Sequence, residues 1–362
     1  MNRLKTYLQI SDLHFGDRLQ QSAFDSWARY VPGLNGYVGH SHAALGYLTT
    51  AFKTLRRAEP DSELIVTGDL TAYGKDSQFQ LADSFLSTAG KRPPFLGLNA
   101  PGWKDLAISG NHDYWPGFPP FRSLGKSNSA VRTYFPDDWS VTTSTTLPNG
   151  VSVVFLRLNS DADVKGWSAE RFYACGSFVN AVKGLDKDLS KRPQQNEIRV
   201  LLLHHSAEYR GQQIQISPTR LLPFRVSIHL KHLTIDDASQ RELVNLIDNH
   251  GIRVVLTGHV HNPFFVGHLP KSTSHPQRDV MEARCGSTSQ LLTATSGSPI
   301  GGGLNIPRYQ NSVIVHRLFE EAGQIYWKSE VHALFLSQGK GFQAASKFLS
   351  APAPEDQIVV WP

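Results

Sequence analysis

Five short apolar runs in this chain are each followed at once by side chains that bind metals or carry protons. The clearest run covers residues 105–109 and breaks at Gly110, after which come Asn111, His112 and Asp113. Bounded apolar runs of this length predict buried strands, and a glycine at the end lets the backbone turn sharply. We therefore expect the three polar residues on a loop just past the strand, where open α/β sheets bind their ligands.

The same arrangement occurs at four other predicted strand ends. The residues concerned are Asp12 and His14 after residues 6–10, Asp69 after 63–67, His204 and His205 after 198–203, and His259 and His261 after 252–257. Asp12 and His14 are two residues apart, so an extended backbone points both side chains to one side. Because the carboxyl ends of neighbouring parallel strands lie at one edge of a sheet, the pattern predicts one small polar cavity.

Helical patterns alternate with these strands and predict an α/β fold. Apolar stripes at helical spacing cover residues 45–55, 79–86, 179–189 and 237–247. Asp237 and Gln240 are interpreted as the capping pair of the last helix, and Gly251 as its end. Further strands are predicted at 151–156 and, without intervening helices, at 280–283, 312–316 and 325–330.

The remaining segments set the expected domain limits. Residues 16–42 and 114–150 are interpreted as long irregular excursions, and residues 207–235 show no clear pattern. The segment after residue 339 contains two prolines and is interpreted as a peripheral tail. We therefore expect one domain over residues 1–338 and a tail over 339–362.

Composition excludes several classes of protein. The net charge of +5 is spread along 362 residues, so a nucleic-acid groove is not indicated. The two cysteines, Cys175 and Cys285, exclude a disulfide framework and favour a cytoplasmic location. The sequence shows no bilayer-spanning apolar stretch and no signal peptide before the first strand, so we expect no membrane association.

The chemistry of the polar side chains at the strand ends indicates metal binding. Carboxylates and imidazoles suit Mn, Fe, Co or Zn rather than the metals that prefer thiolates. The set is too large for one tetrahedral ion, whereas two ions that share a bridging carboxylate use all of its members. The other histidines, at positions 40, 42, 229, 232, 250, 268, 275, 316 and 332, lack this context and are assigned to surface or core packing.

Taken together, the motifs resemble those of the calcineurin-like metallophosphoesterase superfamily. They are Asp12-x-His14, Gly68-Asp69, Gly110-Asn111-His112-Asp113, His204 and Gly258-His259-x-His261, in this order over roughly residues 6–290. The resemblance implies a four-layer αββα sandwich with the metal site at the carboxyl ends of its strands. It also implies two divalent or mixed-valence metal ions.

The resemblance further implies a role for each motif residue. Asp12, His14 and His261 correspond to the ligands of one ion, Asn111, His204 and His259 to those of the other, and Asp69 to the bridge. His112 corresponds to a histidine beside the scissile phosphate that is not a ligand, and Asn111 and His112 to substrate contacts. His205 remains an alternative to His204.

Elementary electrostatics supports phosphoester hydrolysis at such a site. Two divalent ions, the carboxylates of Asp12 and Asp69 and a bridging hydroxide leave a charge of about +1, which favours a phosphate anion. Two metal ions make hydroxide available near neutral pH and stabilise an in-line displacement. His112 is expected to protonate the leaving alkoxide, and Asp113 to orient His112 or a ligand histidine.

Two details of the sequence narrow the choice of substrate. Leu70 and Thr71 follow Asp69, without the Asp-Arg-Gly pattern of Ser/Thr protein phosphatases, and the block is more similar to the cyclic-nucleotide and glycerophosphodiester phosphodiesterase branch. Ser206 and Ala207 stand where that branch usually has prolines. We expect hydrolysis of a small phosphodiester; a DNA-repair type of nuclease and a non-catalytic scaffold are the alternatives.

The long segment over residues 16–42 begins two residues after His14. It carries Trp27 and Tyr37, which we expect to contact the substrate by stacking on a base or on an apolar leaving group. The competing interpretation is that these rings pack under the helix that starts near residue 43. A glycine- and serine-rich stretch at 296–303 lacks the Gly-Lys-Ser/Thr of a phosphate loop and is interpreted as a connection.

Overall fold

A computed structural model describes most of the chain. It covers residues 1–16, 40–89, 97–114, 129–164, 175–192, 196–207, 213–216, 226–229, 235–259, 264–269, 279–289, 311–335, 340–345 and 355–361. The helices are α1 (His42–Ala58), α2 (Asp76–Ser87), α3 (Ser129–Tyr134), α4 (Val179–Leu189) and α5 (Asp237–Asn249). The strands are β1 (Asn2–Ile10), β2 (Glu63–Thr67), β3 (Ala107–Ile108), β4 (Trp139–Thr146), β5 (Ser152–Leu158), β6 (Glu197–Leu203), β7 (Gln213–Ile216), β8 (Val226–His229), β9 (Val254–Thr257), β10 (Phe264–His268), β11 (Met281–Cys285), β12 (Asn311–Glu321), β13 (Gln324–Phe335), β14 (Lys340–Ala344) and β15 (Glu355–Trp361).

The first sheet combines a parallel half with an antiparallel half. Within the described residues its order is β14-β13-β12-β1-β2-β3, with β15 also paired to β13. β1, β2 and β3 run parallel, so their carboxyl ends lie at one edge. β12 and β13 form a long antiparallel hairpin beside β1, which accounts for the late strands that lack helices between them.

The second sheet has the order β10-β11-β9-β6-β5-β4 in the described part of the chain. Its central strands β5, β6, β9 and β11 are parallel, and β4 and β10 are antiparallel edges. The sheets pack face to face over an apolar core that includes Tyr7, Phe155 and Trp327. Helices α1, α2 and α3 cover the outer face of the first sheet, and α4 and α5 that of the second. The predicted four-layer αββα sandwich is confirmed.

Several segments differ from the sequence-based expectations. Residues 340–344 and 355–361, assigned to the tail over 339–362, form β14 and β15 and pair with β13. Ile358 and Val360 are buried in the core between the sheets, and this pairing is non-local, so no local pattern marks it. The boundary at residue 338 therefore does not follow the sheet.

Two further differences have local causes. β4 lies inside the stretch 114–150 that was interpreted as irregular. It is a half-buried edge strand rich in threonine, so it lacks the apolar run that marks the other strands. Helix α5 is capped by Asp236, one residue before the predicted capping pair. The Asp236 side chain accepts hydrogen bonds from the backbone N–H groups of Ala238 and Ser239 at 3.0 and 2.9 Å. In the unassigned stretch 207–235 the structure describes the hairpin β7–β8.

Helices long and apolar enough to cross a membrane are absent from the described part of the chain.

A chain of buried polar groups runs between the two sheets. His316 on β12 binds Ser329 Oγ through Nδ1 at 2.7 Å and Gln9 Oε1 through Nε2 at 3.0 Å. Gln9 in turn donates to Thr67 Oγ1 at 3.1 Å and to the carbonyl oxygen of Thr257 at 2.9 Å, which joins the first sheet to the second. Burial lowers the pKa of His316 from 6.5 to about 3, and the neighbouring charge of Arg317 adds to the effect.

This low pKa predicts a contribution to acid unfolding. The unfolded chain binds a proton at His316 below about pH 6.5, and the folded chain does not. The contribution of His316 to the free energy of unfolding is therefore fully present above that pH and is lost as the pH falls towards 3. Over this interval we expect the unfolding free energy of His316→Gln to fall by less than that of the wild type, with a difference on the order of 4 kcal/mol. Urea titrations from pH 7 to pH 4 in excess chelator measure it, and parallel profiles of the two proteins would contradict it.

Candidate metal centre

The carboxyl ends of strands from both sheets meet at the site. In the first sheet, Asp12 N donates to the carbonyl of Gly68 and His14 N to the carbonyl of Asp69, both at 3.0 Å. In the second sheet, Gly258 N donates to the carbonyl of His204 at 2.9 Å. The two halves are joined where His259 N donates to Asp12 Oδ2 at 3.0 Å. The polar residues that the sequence predicted at one sheet edge therefore come together between the edges of two sheets.

The backbone at four of these residues has an unusual conformation. Asp12, His14, Asp69 and His259 have positive φ angles of 53°, 50°, 51° and 65°. Non-glycine residues adopt this region at a cost of about 1–3 kcal/mol each, usually at functional sites where the surroundings fix them. The argument that an extended backbone aligns Asp12 with His14 is therefore wrong. Their side chains approach each other through two left-handed residues, with Asp12 Oδ1 3.8 Å from His14 Nε2.

Asp69 lies at the centre of the cluster. Its Oδ1 accepts a hydrogen bond from His112 N at 2.8 Å, and its Oδ2 lies 3.3 Å from His204 Nε2 and 4.0 Å from His14 Nε2. Among the described residues, two groups of donor atoms could each hold a metal ion, namely His14, Asp69 and His112, and Asp69, His204 and His259. Asp69 belongs to both groups, which is the geometry of a bridging ligand.

The electrostatics of Asp69 and His204 reflect this arrangement. Burial alone favours the neutral carboxyl, but His204, His112 and His14 outweigh it and hold the pKa of Asp69 well below its usual range. Burial opposes a charge on His204 as well, yet Asp69 raises the pKa of His204 to about 10. The site therefore favours a positive charge beside Asp69, where a proton and a metal ion compete for the same nitrogen.

The two adjacent histidines have different surroundings. His204 binds the carbonyl of Thr67 through Nδ1 at 2.7 Å, which leaves Nε2 directed at Asp69 and 3.1 Å from Asn111 Oδ1. His205 instead binds Ser160 Oγ through Nδ1 at 2.6 Å, and its ring lies 4.1 Å from that of His259. Of the pair, His204 is the one whose Nε2 lies in the donor group around Asp69.

At two glycines of the motifs there is no space for a side chain. A Cβ on Gly110 would lie 2.3 Å from Asp69 Oδ1, and one on Gly68 would lie 2.4 Å from His204 Nδ1. Gly68 also has a φ of 97°, which L side chains rarely adopt. At Gly110 the close approach of Asp69, rather than the sharp turn that the sequence suggested, explains the glycine.

His112 and Asp113 have separate partners. His112 Nδ1 lies 3.1 Å from the carbonyl oxygen of Ala72, and its ring stands edge-on to that of His14 at 4.6 Å. A carbonyl at Nδ1 favours the tautomer with a proton there and leaves Nε2 for a substrate or a metal. Asp113 was expected to orient His112 or a ligand histidine, but its carboxylate accepts hydrogen bonds from Leu70, Thr71 and Gly110.

The Asp113 carboxylate holds the loop that follows Asp69. Its Oδ1 accepts from Thr71 N and Thr71 Oγ1, both at 2.9 Å, and its Oδ2 accepts from Gly110 N at 2.9 Å and Leu70 N at 3.3 Å. Burial, followed by the nearby charge of Asp69, raises the pKa of Asp113 to about 7. Asp113 therefore positions the backbone around Asp69 and Gly110. It does so through hydrogen bonds from backbone N–H groups and not through contact with the ring of His112.

The sequence analysis missed polar residues at a sixth strand end. β5 is followed by Asn159, Ser160 and Asp161, all buried. Ser160 binds His205 as described, and Asp161 Oδ2 lies 3.8 Å from His205 Nδ1. The signal was present, because this strand also ends in amide, hydroxyl and carboxylate groups, but it lacks the glycine that precedes the polar residues at positions 68, 110 and 258.

The donor set fits a pair of metal ions. Asp69 Oδ2 is buried and, among the described residues, has no hydrogen-bond donor, although two imidazole nitrogens face it. Nitrogen and carboxylate donors of this kind suit Mn, Fe, Co or Zn. Asn111 Oδ1, beside His204, adds a neutral oxygen. His261, Trp27 and Tyr37 lie outside the described residues, so their assigned roles stay predictions.

Similarity to known proteins is found in the family profile and in the fold. The family profile of the calcineurin-like phosphoesterases matches residues 5–263. Curated proteins gave no significant match.

Similar solved structures were also found, each very distant in sequence. GAP50, the anchor in the inner membrane complex of Plasmodium, is 11% identical over 95% of this chain and 88% of its own, with a TM-score of 0.46. The calcineurin-like phosphoesterase YfkN from Bacillus subtilis is 12% identical, and the match covers 100% of this chain and 91% of YfkN with a TM-score of 0.36. Vps29 from Chaetomium thermophilum is 9% identical, and the match covers 99% of this chain and 96% of Vps29 with a TM-score of 0.30. These distant structures assign no role to individual residues.

Proposed function

This chain belongs to the calcineurin-like phosphoesterase family, and we propose that it is a metal-dependent hydrolase of small phosphodiesters. The observation that carries the proposal is the position of Asp69, which is shared by two groups of buried metal-binding side chains. Family membership supports metal-dependent hydrolysis of phosphoesters in general. The choice of a diester is the finer part of the proposal.

Each donor of the sequence motifs receives a role in this proposal. Asp12, His14 and His261 would hold one ion, Asn111, His204 and His259 the other, and Asp69 both. When bound, the ions supply Lewis-acid catalysis, lowering the pKa of water and stabilising charge on the phosphoryl group. The protein orients the donors: the carbonyl of Thr67 fixes the ring of His204, and Ser11 Oγ donates to Asp12 Oδ2 at 2.5 Å.

His112 is proposed to donate a proton to the leaving group. Its Nδ1 faces the carbonyl of Ala72, so the ring can carry a proton at Nδ1 while Nε2–H is transferred to the departing alkoxide. Its backbone N–H is bonded to Asp69, which ties the position of the acid to the position of the proposed bridge. His112 also belongs to one of the two donor groups, so ligand and acid are competing roles that an experiment must separate.

The surroundings of Asp69 favour a diester over a monoester. Leu70 and Thr71 follow Asp69 in the chain, both are buried, and the Thr71 hydroxyl is bonded to Asp113. Neither residue offers a cation for the second negative charge that a phosphomonoester carries near neutral pH. A phosphodiester carries a single charge and needs no such partner.

A substrate panel with defined metals tests the proposal. We expect the protein loaded with Mn²⁺ or Zn²⁺ to bind about two ions per chain and to hydrolyse bis(p-nitrophenyl) phosphate, a cyclic nucleotide or a glycerophosphodiester faster than p-nitrophenyl phosphate. Protein treated with chelator is the control. Faster hydrolysis of the monoester would overturn the diester assignment.

The same panel separates the alternatives. Preferred cleavage of an oligonucleotide, with binding that weakens steeply with salt, would favour the nuclease. Two bound ions without hydrolysis of any ester would favour a scaffold. The retention of Asp12, His14, Asp69, His112 and His204 in one buried cluster argues for the enzyme.

We also propose that the segment between Gly16 and His40 forms one wall of the substrate pocket. Residues 17–39 lie outside the described part of the chain, but their flanks are fixed at the site: Gly16 N donates to His40 Nδ1 at 3.3 Å, two residues after His14. A segment whose ends are joined beside the metal centre is well placed to contact substrate.

Trp27→Ala and Tyr37→Ala test this wall. A substrate-stacking role predicts that each raises KM about 5- to 10-fold or changes substrate preference, with a melting temperature close to that of the wild type. Thermal denaturation and steady-state kinetics on the diester panel measure both quantities. A lower melting temperature with unchanged preference would instead place the rings in the core.

The cysteines support a proposed cytoplasmic location. No disulfide joins Cys175 and Cys285. Burial raises the pKa of Cys285, which makes the thiol unreactive. The lack of a disulfide between two cysteines is typical of proteins in a reducing compartment.

A further inference from the structure

Three consecutive hydroxyl residues lie against the loop that carries Asp12 and His14. They are Ser287, Thr288 and Ser289, which follow Gly286 at the end of β11, and all three are fully buried. We call residues 286–289 the strap. None of its residues belongs to the motifs from which the site was assigned, so its side chains have no role in the function described so far.

The strap binds three successive carbonyl groups of that loop. Thr288 N donates to the carbonyl of Ser11 at 2.9 Å, Ser287 Oγ to that of Asp12 at 2.8 Å, and Ser289 Oγ to that of Leu13 at 2.6 Å. Thr288 Oγ1 also accepts from Ser11 N at 3.1 Å. The carbonyls of Ser11, Asp12 and Leu13 thus all accept hydrogen bonds from the strap.

Two N–H groups of the loop are held by the segment that contains Asp69. Asp12 N and His14 N donate to the carbonyls of Gly68 and Asp69, as described above. The loop is therefore clamped through its N–H groups to the proposed bridging ligand and through its C=O groups to the strap. Both residues that need left-handed φ angles, Asp12 and His14, lie within this clamp.

The strap itself is anchored to secondary structure. Gly286 N donates to Ser312 Oγ at 3.1 Å, Ser312 N to the carbonyl of Ser287 at 3.0 Å, and Thr288 Oγ1 to the carbonyl of Ser312 at 3.0 Å. Ser41, the residue that caps helix α1, donates its N–H to the carbonyl of Ser289 at 2.6 Å. The strap is thus fixed to β12 and to the start of α1, and it can hold a strained loop.

From these contacts we infer that Ser287 and Ser289 are positioning residues of the metal centre, which keep Asp12 and His14 in the conformation that binds one of the two ions. The inference rests on the proposed function, because it assumes that Asp12 and His14 are ligands. Loss of either hydroxyl leaves a buried carbonyl of the loop without this donor and releases the constraint on a residue with positive φ. The ion bound by Asp12 and His14 should be weakened, and the one beside His204 and His259 much less.

A simple structural role must be distinguished from positioning, because removing any buried hydroxyl destabilises a protein. Ser239→Ala is the matched control. Ser239 is equally buried, and its hydroxyl accepts from Phe178 N at 2.8 Å and donates to Asp236 at 2.7 Å, in the cap of α5. Both of these partners lie outside the set of proposed ligands, so its removal should lower the melting temperature without changing metal affinity.

The experiment measures Zn²⁺ or Mn²⁺ binding by competition with a chromophoric chelator, and melting temperatures in excess chelator. We expect Ser287→Ala and Ser289→Ala, each made singly, to weaken one of the two ions about 10- to 100-fold, as removal of outer-shell partners typically does. In an Asp12→Ala background, Ser287→Ala should cause little further weakening, because the ligand that it positions is already gone. The Ser239→Ala protein should bind both ions like the wild type.

Three outcomes decide the inference. Metal affinities unchanged relative to Ser239→Ala, at a similar loss of melting temperature, would overturn it, and so would equal weakening in the wild-type and Asp12→Ala backgrounds. If the wild type bound two ions but hydrolysed no phosphoester, the proposed function would fail while the affinities still decided the role of the strap. If the wild type bound no metal, both would fall.

Discussion

Replacing Asp69 with alanine is expected to remove both metal ions and to reduce phosphodiester hydrolysis to the uncatalysed background. Each of the two donor groups contains the Asp69 carboxylate, so its loss takes a ligand from both ions at once. It also removes the buried carboxylate that raises the pKa of His204 and that interacts with His112 and His14. Elemental analysis after dialysis and the rate on bis(p-nitrophenyl) phosphate measure the two effects.

Asp69→Asn separates the loss of the charge from the loss of a hydrogen bond. Asparagine can still accept from His112 N through its amide oxygen, so the loop should keep its course. We expect this variant to lose the metals as well, because an amide is a poor bridge between two cations. Asp236→Ala, which removes the cap of α5 and none of the proposed ligands, should destabilise the protein and leave the metal content unchanged. Two ions per chain in Asp69→Ala would refute the bridging role.

The strand ends were predictable because a local pattern marks them. A bounded apolar run followed by glycine or a polar group is visible at residues 10–14, 67–69 and 108–113, and the structure has β1, β2 and β3 ending there in parallel. Parallel pairing forces their carboxyl ends to one edge, so the proximity of Asp12, Asp69 and His112 followed from pattern and topology together.

The sequence did not reveal that the site lies between two sheets. The hydrogen bond from His259 N to Asp12 Oδ2 joins residues that are 247 positions apart, and no local pattern encodes it. The same is true of β15, which lies in the segment interpreted as a peripheral tail and pairs with β13. Non-local pairing is decided by the packing of whole sheets, which periodicity does not report.

The backbone conformation of the ligands was also beyond sequence reasoning. Asp12 and His14 read as an extended pair, yet both have positive φ. Such strain persists only where surrounding contacts fix it, and here those contacts come from residues 68–69 on one side and 287–289 on the other. Asp113 is a related case, since its position after His112 suggested contact with the ring, whereas its oxygens bind the backbone of residues 70, 71 and 110.

The second large effect is expected at His112. We expect His112→Ala to keep both metal ions and to lower the turnover of a phosphodiester with an alkyl leaving group on the order of 10²- to 10⁴-fold, the usual contribution of a general acid. The carbonyl of Ala72 holds the ring through Nδ1 and leaves Nε2 to donate the proton. An aryl ester with a nitrophenolate leaving group needs little protonation, so the loss should be much smaller there.

Comparing the two esters tests the acid role, and the metal content tests the competing one. His112 lies in the donor group of His14 and Asp69, so a ligand role predicts that His112→Ala loses one ion and is impaired equally on both esters. A proton donor predicts full metal content and a loss that grows as the leaving group becomes more basic. Since the backbone N–H of residue 112 still reaches Asp69 in the alanine variant, the loop and the proposed bridge should stay in place. Any change in metal content can then be attributed to the imidazole itself.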